Sequence, residues 1–142
     1  MLAITLGAAA CQSSSPAASS EAASGPAPSR SDGSAASRPS SPAVVSIVQP
    51  ANGATLKGPT VHVVLSLSGA TIVNATSTNI KPDEGHVHLY VDNVLYSMNY
   101  ALEQDLPVHP GTYVLKAEFV AADHAPFSPR VWSQQVFFTV TG

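Results

Sequence analysis

Gly85-His86-Val87-His88-Leu89-Tyr90-Val91-Asp92 alternates apolar and polar residues at a period of two, the period of a strand whose successive side chains leave on opposite faces. Val87, Leu89 and Val91 are therefore assigned to a core, and His86, His88 and Tyr90 to the other face. Asp92-Asn93 follows as a two-residue turn into Val94-Leu95-Tyr96-Ser97-Met98, so the stretch predicts a β-hairpin. The same spacing aims two imidazoles at one point.

The pattern continues on both sides, in short alternating runs separated by Gly, Pro, Asn and Asp from Val44 to Gly142. A strand over Val44 to Val48 ends at Pro50-Ala51-Asn52-Gly53, where Asn-Gly supplies the positive φ of a tight turn. In the next strand, Thr60 to Ser68, Val61, Val63, Leu65 and Leu67 share one face and His62 lies on the other, at the surface or the rim. A long strand runs from Pro110-Gly111-Thr112-Tyr113 through Val120, with Tyr113, Leu115, Ala117 and Phe119 as its core face. The last strand, Val131 to Val140, groups Trp132, Val136, Phe138 and Val140, with Gln134 as a polar interruption and Trp132 read as core.

About seven strands in about a hundred residues predicts an all-β, antiparallel two-sheet sandwich, long enough to bury one core without disulfides. Pro110-Gly111-Thr112-Tyr113-Val114-Leu115 resembles the start of the penultimate strand of immunoglobulin-like and fibronectin-like domains. In those families a tyrosine near that point hydrogen-bonds back to the preceding turn. Pro50-x-Asn52-Gly53-Ala54-Thr55 with Lys57-Gly58 is similar to the first-to-second strand turn of bacterial immunoglobulin-like modules. Both resemblances imply an immunoglobulin-like sandwich over residues 44–142.

Residues 12–43 are of another kind. Gln12 to Ala43 is nearly all Ser, Ala, Pro and Gly, with no Leu, Ile, Val, Phe, Tyr or Trp, and such a segment cannot offset the entropy of ordering itself. It is read as a disordered tether. Before it, Leu2-Ala3-Ile4-Thr5-Leu6-Gly7-Ala8-Ala9-Ala10-Cys11 resembles the end of a bacterial lipoprotein signal peptide, on the small residues that precede the chain's one cysteine. No Lys or Arg precedes the apolar run, so residues 1–11 are read as a truncated signal segment whose true start lies upstream. The resemblance implies cleavage before Cys11 and its lipidation. The protein would then be extracytoplasmic, anchored to the membrane through lipid on Cys11.

With Cys11 so used, no disulfide framework and no Cys-ligated metal site remains. Lys57, Lys81, Lys116 and Arg130 face seven carboxylates in the domain, and the whole chain carries a formal charge of -3. Nucleic acid is not an expected partner, because phosphate binding needs a cluster of cations.

All five histidines, His62, His86, His88, His109 and His124, fall in the predicted sandwich. A His-x-His pair on a strand suits copper or zinc, since neutral imidazole is a good ligand for both. A third donor must come from elsewhere. The best placed is Asp123-His124 in the loop Ala121-Ala122-Asp123-His124-Ala125-Pro126, followed by His109 before Pro110-Gly111; Met98 is a soft donor if the ion is Cu(I). The same residues have plainer readings: exposed histidines on a solvated face, and an aspartate bonding turn N–H groups. No nucleophile elbow, phosphate loop or paired carboxylates stand out, so an enzyme is not expected.

The array of Gly85-His86-x-His88-Leu89, Pro110-Gly111-Thr112-Tyr113-x-Leu115 and Ala122-Asp123-His124-x-Pro126 resembles an uncharacterised family of bacterial envelope domains, with Val87 where some members carry a third histidine and Tyr113 where many carry one. The likeness implies the fold and an envelope location. His86-Val87-His88 is also similar to the His-Val-His strand of copper–zinc superoxide dismutase, but the zinc-loop histidines, bridging histidine and disulfide have no counterparts here. The function expected is a lipid-anchored, non-enzymatic binding module for copper or zinc. The alternative is a structural or adhesive module contacting cell-wall polymer or an envelope protein without metal.

Overall fold

Short alternating segments cannot bury their apolar faces alone, and here they do so by stacking two sheets. The computed structural model describes residues 37–142; Cys11 and the signal segment lie outside the described residues. Ten strands and, among the described residues, no helix are found: β1 (Val44–Gln49), β2 (Ala54–Lys57), β3 (Thr60–Ser68), β4 (Thr71–Ile72), β5 (Glu84–Val91), β6 (Val94–Asn99), β7 (Glu103–Pro107), β8 (Gly111–Ala121), β9 (Pro126–Trp132) and β10 (Val136–Thr141). One sheet has the order β1-β3-β7, the other β2-β10-β8-β5-β4, with β6 also paired to β5 and β9 to β8. The all-β sandwich is as expected, with ten strands in place of about seven. Two pairings, β2 with β10 and β4 with β5, are parallel.

The core lies where the alternation puts it. Val61, Val63 and Leu65 of β3 and Leu106 of β7 meet Val87 and Leu89 of β5, Leu115, Ala117 and Phe119 of β8, and Val136, Phe138 and Val140 of β10, all buried. Full burial of one such large side chain contributes about 1.5–3 kcal/mol. Phe127 of β9 stacks on Phe119 at 5.6 Å. Between β5 and β6, Asp92 and Asn93 both take positive φ, 51° and 67°, the requirement of a tight two-residue hairpin turn. Tyr113 hydrogen-bonds back to the preceding turn, its hydroxyl donating to the His109 carbonyl at 3.0 Å.

The expected last strand is instead two. Ser133 breaks the ladder by donating its own N–H to the Ala117 carbonyl while its hydroxyl accepts from the Ala117 N–H. β9 and β10 therefore pair with successive stretches of β8. The break changes which face Trp132 occupies: it stands opposite Glu118, half-buried on the outer face against Tyr90, with Lys116 and Arg130 over its ring. Trp132 is thus not a core residue. Leu106, ahead of the long strand, lies in β7 on the opposite sheet, paired with Val61 of β3.

Residues 37–43, the end of the segment read as tether, lie against the sandwich. Arg38 bonds the loop after β8, Pro39 accepts a hydrogen bond from the Ser128 N–H, and Ala43 is buried.

One close approach positions the histidine strand. Gly85 pairs with Ala121, and a Cβ placed on it would fall 1.9 Å from the Val120 carbonyl oxygen. Only glycine lets β5 meet β8 there, immediately before His86.

Candidate metal centre

The register of β5 on β8 sets the site: His86 opposes Val120 and His88 opposes Glu118, on the face away from Val87 and Leu89. That face is covered too. Beyond β8 the chain turns through Ala121 to Ala125, closed by hydrogen bonds from the His124 N–H to the Ala121 carbonyl and from the Ala121 N–H to the Ala125 carbonyl. The turn holds His124 at φ 65° and lays its ring over the two strand histidines. His86 is fully buried and His88 is 5% exposed.

Three ring nitrogens converge. His86 Nε2 is 3.2 Å from His88 Nε2 and 2.8 Å from His124 Nδ1, and one donor atom of each ring lies within 4.8 Å of the others. A tetrahedral ion with metal–nitrogen bonds of about 2.0–2.1 Å would separate its nitrogens by about 3.3 Å. The two pairs that share His86 Nε2 reach this spacing after opening by about half an ångström at the tighter one, and the third pair lies within 4.8 Å.

Protonation favours binding. Burial, reinforced by the neighbouring imidazoles of His124 and His88, lowers the His86 pKa to about 4. Burial also lowers that of His88, against the opposing pull of Glu118. Both rings are held in the neutral form that metals bind. On the far side of His124 the Thr76 hydroxyl lies 3.2 Å from Nε2; a proton on Nε2 donated to Thr76 leaves the Nδ1 lone pair facing His86, the arrangement that orients ligand histidines in metal sites. Two rings sharing His86 Nε2 do not satisfy His86 as a whole, since its buried Nδ1 has no hydrogen-bond partner among the described residues. The Tyr100 ring packs on the same imidazole, 5.1 Å between centroids.

The nearby carboxylates are already engaged. Asp123 is gripped by two nitrogens of Arg38 at 2.6 and 2.8 Å, and the same guanidinium donates to the carbonyls of Ala125 and Pro126; this ion pair holds the Asp123 carboxyl below the usual range. Its other task is to accept from the Ala125 N–H. Glu118, fully buried, accepts from Arg130 and from the Tyr90 hydroxyl.

Of the five expected site residues in the domain, His86, His88 and His124 come together, and His109 and Asp123 do not join them. Asp123 serves the loop, as the plainer reading had it. His109 is exposed before β8, at the end of that strand remote from Val120. Three contributors carried no sequence signal of their own: Thr76 in a polar loop, Tyr100 after β6, and Arg38 in the Ser/Pro-rich segment. A shallow groove lined by Val48, Pro50, Leu56 and His62 lies elsewhere and gathers no comparable set of donors.

No protein-family model, curated protein or solved structure matches the chain.

Proposed function

We propose that the domain is a non-enzymatic metal-binding module that holds one copper or zinc ion through His86, His88 and His124. The observation carrying the reading is the convergence of three imidazole nitrogens at 2.8 and 3.2 Å on a buried face. Without an ion this leaves two buried histidines held neutral with their ring nitrogens crowded together; with one, the same groups become a prepared ligand set. The absence of a free carboxylate from the cluster argues against calcium, magnesium or manganese, which take oxygen donors. The anchor completes the proposal: lipid on Cys11 would hold the module at the outer side of a membrane, where it stores, delivers or senses the ion.

Titration of the purified chain with Zn(II) and with copper, followed by competition against a chelator of known strength, tests this. One ion per chain at micromolar affinity or tighter is expected, with about a hundredfold loss in His88→Ala and none in His62→Ala. Millimolar or weaker binding in all three proteins would overturn it and leave the wall- or protein-contacting alternative.

A further inference from the structure

Resting on the reading of the trio as a metal site, we propose that its resident ion is copper(I) and that the Met98 thioether is the fourth donor. Met98 stands directly opposite His88 in the β5–β6 ladder, and residues so paired share a face with their Cβ atoms about 4.5–5.5 Å apart. His88 therefore has Met98 as its neighbour on one side and Glu118 on the other. Only one of these two is available. Glu118 is held by Arg130 and Tyr90, whereas Met98 is 55% exposed and packs in no core, and its unbranched side chain has the rotational freedom to swing toward His88.

The charge of the site points the same way. Three neutral imidazoles and a thioether contain no anion, and the two carboxylates closest to the cluster, Asp123 and Glu118, are each neutralised by an arginine. A divalent ion would bring two uncompensated charges against residues that are 0% and 5% exposed. A monovalent ion brings one, at a smaller desolvation cost. Thioether sulfur is a soft donor that selects Cu(I) among biological ions and adds little to the binding of zinc. The Tyr100 ring against His86 walls the site with an aromatic surface, which suits an ion that needs no water ligand.

The test is an anaerobic competition on the full chain, with Cu(I) supplied by a reductant and buffered by a chromogenic Cu(I) chelator, and with Zn(II) measured separately. Met98→Leu keeps the volume of an exposed side chain and leaves the fold intact. The wild type is expected to bind Cu(I) at least about a hundredfold more tightly than Zn(II), and Met98→Leu to lose about tenfold or more for Cu(I) while Zn(II) changes by less than about twofold. X-ray absorption of the Cu(I) complex should show a sulfur scatterer in the wild type and none in Met98→Leu. Cu(I) affinity unaltered by the substitution, equal losses for the two ions, or no sulfur scatterer in the wild type would each overturn the role of Met98 while the three-histidine site stands. A chain that binds neither ion would remove that site and this inference with it.

Discussion

His62 and His86 lie in different sheets of one sandwich, and their surroundings treat the same side chain in opposite ways. His62, on β3, is exposed, with Nδ1 2.8 Å from Asp105 and Nε2 3.6 Å from Glu103, and the Asp105 carboxylate raises its pKa. His86 lies under a loop among other imidazoles, and burial takes its pKa down to about 4. A histidine beside carboxylates keeps its proton and makes a surface ion pair. One shut in with other histidines is kept free of its proton, with a lone pair for an electrophile. The difference separates the solvated-face reading of a histidine from the ligand reading, and it depends on the neighbours.

Acid should expose the contrast most strongly. The unfolded His86 side chain titrates near 6.5 and the folded one near 4, so between those values the unfolded chain binds a proton that the folded chain refuses. Stability from this group is complete above about pH 6.5 and is lost as pH falls toward 4, by about 3 kcal/mol in the metal-free protein. His62 has the opposite sign: its contribution is full below the unfolded pKa and fades as pH rises through its raised folded value. Denaturant unfolding in chelator at about pH 7 and pH 4 is expected to show a smaller acid loss in His86→Gln than in the wild type, and a larger one in His62→Gln. Equal losses in all three proteins would break the comparison.

A smaller effect should follow from separating Asp123 from Arg38. Asp105 answers a histidine on the surface, whereas Asp123 answers an arginine and thereby fixes the turn that carries His124. Arg38→Ala removes a two-pronged ion pair and two hydrogen bonds to loop carbonyls, all partly exposed. We expect a stability loss of about 1–2 kcal/mol and a fall in metal affinity of about tenfold, as when a group orienting a ligand is deleted. Unchanged affinity with lowered stability would make Arg38 a clasp for the loop and nothing more.

The strands and the histidine pair were legible in the sequence because both depend on a period of two. Val87, Leu89 and Val91 against His86, His88 and Tyr90 needed only alternation, and Tyr113 reached its turn as the motif at Pro110-Gly111 implies. What could not be read depends on distance along the chain. Trp132 was misplaced because the ladder breaks at Ser133, whose hydroxyl takes the place of a strand carbonyl in accepting the Ala117 N–H. Asp123 resembled a ligand because nothing in the sequence announces a partner 85 residues away. His109 and His124 both precede or occupy bends of β8, and only the register on β5 tells which of its ends meets His86. Short edge strands such as β2 and β4 have too few residues to show any period.

The finest probe of the comparison is His124 itself, because its backbone argues about purpose. At φ 65° the residue sits in the left-handed region, which costs a non-glycine side chain about 1 kcal/mol. Glycine would take that conformation without strain, and what the histidine adds in its place is its contacts with His86 and Thr76. His124→Gly relieves that conformation, loses some stability because the unfolded chain becomes freer, and forfeits the Thr76 contact. The net change in unfolding free energy in chelator should stay within about 1 kcal/mol of zero. Metal binding should nonetheless weaken as severely as in His88→Ala, because one of three nitrogens has gone. A His124→Gly protein that still bound the ion like the wild type would confine the site to β5, and one destabilised by several kcal/mol would make the loop histidine a structural prop like any buried side chain.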